Sequence, residues 1–186
     1  NELSVICDKQ GINVWDLIKL SNKHPRVNIL QPGTGVGGHC IAVDPWFIIS
    51  QDTKNTKIIR TAREVNDRKT KWVIDKIKKI SKKHFLKKGI KPKIACLGLA
   101  FKPDIDDLRE SKAVEIAETL LAEGYEVFAV EPNIKLHKNL SLLNLSEAIE
   151  ETDIICILVK HKEFLTLHVK DQLKKLGALD FCGALY

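Results

Sequence analysis

The sequence is poor in several features that would place it in a specialised class. It contains no methionine, only two tyrosines and 6% aromatic residues. No apolar run is long enough to span a membrane, and the first residues do not form a signal or transit peptide. The five cysteines are odd in number, widely spaced and never arranged as C-x-x-C, which argues against a disulfide scaffold and a zinc site. We therefore expect a cytoplasmic protein with reduced thiols, no metal site and no membrane contact.

The composition indicates a globular protein, with 44% hydrophobic and 29% charged residues. The 186 residues suffice for one ordinary domain and a helical segment but are short for two complete domains. The net charge of +6 arises largely between Lys76 and Lys93. Because this stretch has little aromatic interleaving, it predicts a solvated helix face rather than a nucleic-acid site. Binding of an anionic small molecule is compatible with it.

The first half of the chain has helical signals around one glycine-rich loop. Residues 1 to 22 predict a helix interrupted near Gly11, with Asn13 as the cap of its second part. Four glycines follow Pro32 before residue 40, so this segment is a shaped loop. Asp44 and the following proline predict a new helix capped by Asp44. Apolar residues recurring at three and four positions over 55–83 then predict one long helix, typical of a domain connection or a subunit interface.

After Pro92 the pattern changes to alternating strands and helices. We predict strands over 93–99, 125–131, 153–159 and 178–181, and helices over 112–123, 146–151 and 170–176. Such alternation indicates a Rossmann-like parallel sheet with helices on both faces. The predicted fold class is therefore α/β, with a central helical and dimerisation segment over 1–88 and a C-terminal sheet domain over 89–186.

The first chemical motif is residues 32–45, with the sequence PGTGVGGHCIAVDP. Its glycines allow backbone amides to approach a ligand, and Cys40 lies just before the start of the predicted helix, whose dipole favours a thiolate. That is a suitable setting for a nucleophile. No strand precedes the loop, so its partial G-x-G-x-x-G match is not a dinucleotide fingerprint. The spacing alone leaves open a turn-rich loop with an incidental cysteine.

The second motif is residues 98–111, with the sequence GLAFKPDIDDLRES. It follows the first predicted strand, at the edge where parallel sheets bind ligands. A dinucleotide site would have a tight glycine turn here, whereas this chain has a long polar loop with Lys102 and Arg109. The loop suits a diphosphate bound in another way. Alternatively, these charges only pair with Asp104, Asp106 and Asp107 of the same loop.

Both motifs, together with the AREVN segment at 62–66, resemble the UDP-glucose/GDP-mannose dehydrogenase family over essentially the whole chain. The pattern G-x-G-G-x-C, followed by three residues and Asp44, is similar to the active-site signature of that family. The variant with GVGGHC and DPWF is similar to the branch that oxidises UDP-N-acetyl-D-mannosamine to its uronate for surface polysaccharide synthesis. UDP-glucose and UDP-N-acetylglucosamine are the alternative substrates. The resemblance implies NAD as the cofactor and a homodimer or higher oligomer as the assembly.

The resemblance also implies roles for individual residues. Cys40 would be the catalytic nucleophile, forming a thiohemiacetal and then a thioester at the sixth carbon of the sugar, because an aldehyde donates hydride poorly until a nucleophile adds to it. Asp44 would position water or a catalytic lysine. Arg109 would contact the NAD phosphates. The residues expected to contact the UDP-sugar are His24, Arg26, Gly37, Phe101 and Lys102.

Two further expectations concern the NAD-binding part. The family's N-terminal NAD domain is expected to lie before Asn1, so we expect this chain by itself to be inactive. Glu131 ends a predicted strand like the acidic residue that holds an NAD ribose, but without a glycine turn we predict a structural role for it. A non-catalytic module that binds UDP-sugars and dimerises is the main alternative. Nucleic-acid binding is a third, which only the net charge favours.

Overall fold

The computed structural model describes residues 1–186 and shows a helical half followed by an α/β half. The helices of the first half are α1 (Glu2–Gln10), α2 (Val14–Ser21), α3 (Asp44–Gln51) and α4 (Lys57–Lys88). The second half contains β1 (Lys93–Leu97), α5 (Lys112–Ala122), β2 (Glu126–Val130), β3 (Ser141–Leu142), α6 (Leu145–Glu151), β4 (Ile154–Ile157), a short 3-10 helix (Lys162–Leu165), α7 (Leu167–Lys175) and β5 (Leu179–Asp180). No helix combines the length and the apolar character needed to cross a bilayer.

The predicted capping residue is correct for α2 and wrong for α3. Asn13 caps α2, because its side chain accepts hydrogen bonds from the amides of Trp15 at 2.9 Å and Asp16 at 3.3 Å. The prediction that Asp44 caps α3 is wrong: Val43 is the capping residue and Asp44 already belongs to the helix. The amide of Asp44 donates to the carbonyl of Cys40 at 2.8 Å, so a turn runs directly into α3 and leaves no extended capping residue.

The long helix α4 is shared by both halves of the molecule. Its 32 residues correspond to a length of about 48 Å at 1.5 Å per residue. It contacts α1 and α3 of the helical half and α5 of the α/β half. Val73, Ile74 and Ile77 of α4 are part of the hydrophobic core of the α/β half. The helix ends at Gly89, whose φ of 73° is the left-handed conformation favoured by glycine. The two halves are therefore joined by packing as well as by the chain.

The sheet is parallel throughout, with the strand order β3-β2-β1-β4-β5. Successive residues of β1 point to opposite faces. Ile94 and Cys96 pack in the core that includes Ile116 of α5, whereas Ala95 and Leu97 pack in the core that includes Leu173 of α7. Helices thus cover both faces, and the predicted Rossmann-like α/β fold is confirmed.

The sheet differs from the predictions in one additional strand and in the ends of the strands. The strand β3 was not predicted, since it has only two residues and one of them is a serine. The first strand ends at Leu97, two residues earlier than expected. The amides of Leu99 and Ala100 instead donate to the carboxylate of Glu131, at 2.7 and 3.0 Å. The chain therefore leaves the sheet where the second motif begins.

Candidate active site

The glycine-rich loop is held in place by polar side chains of α4. Asn66 accepts a hydrogen bond from the amide of Val36 at 2.7 Å and donates to its carbonyl at 3.0 Å. Thr70, one turn further along the same face, donates to the carbonyl of Thr34 at 2.9 Å. Asn66 and Thr70 are both buried. These side chains supply the hydrogen-bond partners that the loop backbone would otherwise find in a helix or sheet, and so give the loop a defined shape.

The far end of the same loop packs against the second motif. The amide of Gly38 donates to the carbonyl of Arg109 at 3.2 Å. A Cβ atom on Gly37 would lie 2.2 Å from the carbonyl oxygen of Glu110, and one on Gly38 would lie 2.9 Å from the ring of Phe101. Only glycine permits such an approach. The two motifs that are far apart in the sequence therefore form one site.

Cys40 is the exposed thiol of the chain. It follows Gly38 by two residues and precedes the first turn of α3. The other cysteines are buried or half-buried, and burial raises the pKa of Cys96 to about 12 and the pKa values of Cys156 and Cys182 well above the ordinary value. Of the five thiols, Cys40 is thus the exposed one, and the half-buried Cys182 is the next most accessible.

Arg109 lies at the rim of the site and is fixed by Asp107. Its guanidinium group donates to both carboxylate oxygens of Asp107, at 2.6 and 3.0 Å. These hydrogen bonds lower the pKa of Asp107 to about 2. They are also the main reason why the pKa of Arg109 is raised, with a smaller contribution from Cys40. The side chain of Arg109 remains 63% exposed, so one face is available to a ligand.

A cleft of about 320 Å³ lies between the two motifs. Its walls include residues 33–36, Phe101, three lysines and the half-buried Cys182. Two of these lysines are engaged: Lys112 pairs with carboxylates, and Lys160 donates to a backbone carbonyl at 2.8 Å. Lys102 is exposed and forms no ion pair; its ammonium lies 5.6 Å from the centroid of the Phe101 ring. Glycine backbone and lysine side chains are groups that bind phosphate.

The walls of this cleft do not include the predicted site residues Cys40, Asp44, His24 and Arg26. Cys40 and Asp44 are exposed on the continuation of the glycine-rich loop. His24 and Arg26 are exposed before the loop, where the imidazole of His24 accepts the amide of Arg26 at 3.2 Å. Neither of these two lines the cleft. The structure therefore brings Gly37, Phe101, Lys102 and Arg109 together with the cysteine loop, but not His24 or Arg26.

A buried pair beneath the second motif was not found from the sequence. His161 accepts the amide of Asp104 at 2.9 Å through Nδ1, and its Nε2 lies 2.9 Å from Oε2 of Glu131. Both side chains are buried. Burial by itself would raise the pKa of Glu131, but hydrogen bonds from His161, Leu99 and Asn133 outweigh it and lower the pKa to about 2. Glu131 is fully used within the chain, so its carboxylate supports the loop that carries Lys102.

Comparison with known families finds a match for each of the two motifs. Residues 1–68 match the central domain of the UDP-glucose/GDP-mannose dehydrogenase family, and residues 95–185 match the UDP binding domain of that family. The chain belongs to this family. The first match contains Cys40, and the second contains Lys102 and Arg109.

Relatives within the dehydrogenase family are similar over most of the chain. A UDP-N-acetyl-D-mannosamine dehydrogenase of Campylobacter jejuni is 58% identical over 173 residues, which are 89% of this chain and 41% of the relative. The protein of the same name from Escherichia coli K12 is 56% identical over 178 residues, covering 90% and 42%. An NDP-N-acetyl-D-galactosaminuronic acid dehydrogenase of Ralstonia nicotianae is 48% identical, covering 98% and 43%. The chain thus spans less than half the length of these relatives.

Solved structures of dehydrogenases in this family have the same fold. The UDP-D-ManNAc dehydrogenase of Pyrococcus horikoshii matches 100% of this chain and 44% of its own, with a TM-score of 0.81 and 31% identity. The UDP-N-acetyl-mannosamine dehydrogenase of S. aureus matches 89% of this chain and 38% of its own, with a TM-score of 0.75 and 44% identity.

Proposed function

We propose that this chain is the central and UDP-binding part of an NAD-dependent dehydrogenase that oxidises UDP-N-acetyl-D-mannosamine to UDP-N-acetyl-D-mannosaminuronate. The observation that carries the proposal is the exposed Cys40 on a glycine-rich loop that packs against the loop of Lys102 and Arg109. The names of the relatives above support the choice of sugar. A role in surface polysaccharide synthesis and a cytoplasmic location belong to the same proposal.

Cys40 would carry out the covalent chemistry. Its sulfur bonds to the aldehyde carbon of the half-oxidised sugar, which converts a flat carbonyl into a tetrahedral thiohemiacetal. Oxidation of that centre leaves an acyl group on the sulfur as a thioester. Water then cleaves the thioester, releasing the carboxylate and returning the thiol. Asp44, exposed four residues later in the first turn of α3, would orient this water.

NAD, when bound, supplies the hydride acceptor for both oxidations. The α/β half of this chain does not fit NAD in the usual way. The connection from β1 to α5 is a long loop instead of a tight glycine turn, and the carboxylate of Glu131 is occupied by five hydrogen bonds within the chain. Arg109, exposed at the rim, is the residue that would contact the NAD phosphates.

The binding of UDP would rest on the cleft. Lys102 would pair with the diphosphate, Phe101 would pack against the nucleotide or sugar, and the backbone at Gly37 would approach the sugar closely. His24 and Arg26 are exposed outside the cleft, which suits a contact made with the substrate of a partner subunit. A homodimer or higher oligomer is therefore part of the proposal, and light scattering of the purified protein tests it.

Calorimetric titration of the chain with UDP tests the binding site. Lys102→Ala should weaken UDP binding roughly ten- to a hundredfold, because a charge-assisted contact is worth roughly 1.5–3 kcal/mol. Lys174→Ala, which removes an exposed lysine from α7, is the matched control and should leave the affinity unchanged. Equal affinities for the two variants would remove Lys102 from the site.

The covalent role of Cys40 requires the longer protein that contains this chain. Cys40→Ala should abolish uronate formation, whereas Ile41→Ala, at the exposed neighbouring position, should retain it. Measurement of NADH with UDP-N-acetyl-D-mannosamine, UDP-N-acetylglucosamine and UDP-glucose identifies the substrate. Undiminished product from Cys40→Ala would disprove the proposed role of the thiol.

A second candidate is a non-catalytic module that binds UDP-sugars and dimerises. It is favoured by one observation, that Cys40 is not among the residues that line the cleft. It predicts UDP binding to this chain, but no NADH from the longer protein with any of the three sugars. Formation of NADH that depends on Cys40 would exclude it.

A further inference from the structure

Lys69 of α4 is a buried cation without a counter-charge. Only 4% of the residue is exposed, and none of the ion pairs of the chain includes it. Its ammonium donates to the hydroxyl of Ser4 at 2.7 Å and lies 4.0 Å from the centroid of the Trp72 ring. Burial, followed by the charge of Lys76, lowers the pKa of Lys69 to about 8. At neutral pH the group is still mostly charged, and a buried charge of this kind is costly unless paired.

Lys69 forms part of the wall of a cavity of about 260 Å³ between α1, α2, α4 and the C-terminal residues. Aromatic side chains make up much of the wall. Trp15 and Tyr186 are stacked, with ring centroids 6.0 Å apart, and Trp72 meets Phe181 edge to face at 6.2 Å. The cavity shares no wall residue with the cleft at Lys102. It is therefore a separate site.

The carboxylates near this cavity are already engaged. Asp8 forms an ion pair with Lys76. Asp180 accepts three backbone amides of the C-terminal turn, at 2.8 to 3.0 Å. Neither carboxylate lies within ion-pair distance of Lys69. Two of the three ammonium hydrogens of Lys69 thus have no oxygen acceptor, although one hydrogen bond to Ser4 and the indole face partly stabilise the charge.

We propose that this cavity binds a planar aromatic anion, with its ring against the Trp15, Trp72 and Tyr186 side chains and its anionic group paired with the ammonium of Lys69. An anion supplies the counter-charge where the low local dielectric makes pairing strong. The aromatic walls favour a flat ring over an aliphatic chain. The volume is somewhat below that of typical pockets of 300–1,000 Å³, which suits a small ligand of one or two fused rings.

The three tryptophans of the chain provide the assay. Naphthoate is titrated into the labelled chain while the indole N–H signals are followed by NMR. The signals of Trp15 and Trp72, in the cavity wall, should shift and saturate, and that of Trp46 in α3 should stay in place. Naphthamide, which has the same shape without charge, should bind at least about tenfold more weakly. Excess UDP should not displace naphthoate, so the result is independent of the proposed function.

Two variants test the contacts. Lys69→Met keeps most of the length of the unbranched side chain and removes the charge, and should reduce naphthoate affinity to that of naphthamide. Lys79→Met, at an exposed position of α4 outside the cavity, is the control and should bind as the unchanged protein does. Tyr186→Ala removes one aromatic wall at a side chain that is 63% exposed, and should weaken naphthoate binding several-fold without disturbing the core. Absence of shifts at Trp15 and Trp72 with millimolar naphthoate, or equal affinity for naphthoate and naphthamide, would overturn the proposal.

Discussion

Replacing Glu131 by glutamine tests whether the buried pair beneath the second motif holds that loop. The two carboxylate oxygens of Glu131 accept five hydrogen bonds, from two amides of the motif, from His161 and from two groups of Asn133. Glutamine keeps one oxygen and places an NH₂ group where the other was. That group cannot accept the amide of Asn133, so donors face each other in a buried space.

The structure sets the magnitude of the Glu131→Gln effect. Folding lowers the pKa of Glu131 from 4.5 to about 2. At 1.36 kcal/mol per pKa unit, the ionised carboxylate therefore stabilises the folded state by about 3 kcal/mol. Independently, each buried donor left without a partner costs about 1–3 kcal/mol. We therefore expect the free energy of unfolding at pH 7 to fall by about 3 kcal/mol. Glu150→Gln, at an exposed position of α6, should change it by less than about 0.5 kcal/mol.

Urea denaturation measured at several pH values provides the assay. Above pH 4.5 the carboxyl of Glu131 is ionised in both the folded and the unfolded state, and its stabilisation is fully present. As the pH falls from about 4.5 toward 2, the unfolded chain takes up the proton first and the stabilisation is lost. The difference between the unchanged protein and Glu131→Gln should therefore shrink over this window. A difference below about 1 kcal/mol at pH 7, or one that is constant down to pH 3, would refute the reasoning.

Three further predictions follow from other positions. Gly37→Ala should abolish UDP binding in calorimetry, because its Cβ would lie 2.2 Å from a carbonyl oxygen, whereas Lys174→Ala, at an exposed position of α7, should bind UDP normally. Lys69→Met should raise the free energy of unfolding at pH 6 by about 1–3 kcal/mol, because the lowered lysine pKa of about 8 means that the buried charge destabilises the folded state below that pH. This gain in stability should vanish as the pH rises toward 10.5, where the lysine is neutral in the folded state. A variant that is less stable than the unchanged protein at pH 6 would contradict the prediction. Asn144→Ala removes one member of the capping box of α6 and should lower the melting temperature by an amount equivalent to about 1 kcal/mol, which an unaltered melting curve would disprove.

The fold could be predicted where a repeating pattern identifies an element. The spacing of apolar residues revealed α4, and the short apolar runs revealed β1, β2 and β4. The strand β3 carries no such pattern, because two residues cannot show a period. The ends of elements were least predictable, as at Leu99, where the side chain of Glu131, directly after β2, accepts the amides that would have continued the ladder.

The sequence predicted those parts of the site whose residues are neighbours along the chain. The glycines around Cys40 distinguished that thiol from four others within apolar runs, and its exposure agrees with this distinction. Its catalytic role stays a prediction. The support given by Asn66, Thr70 and His161 comes from contacts across 30 to 57 residues, and nothing in the local sequence indicates which backbone groups they meet. Only the folded arrangement shows these residues as part of the site.

The dual packing of α4 restricts how the length of this protein can vary. Asn66 and Thr70 hold the glycine-rich loop, while Val73 and Ile77, within the next two turns, lie in the core of the sheet domain. One residue inserted between Thr70 and Val73 would turn these two contact sets by about 100° relative to each other, so one of them would face water. Insertions and deletions in homologous chains should therefore be absent from this stretch and should collect after the last core contact, toward Gly89.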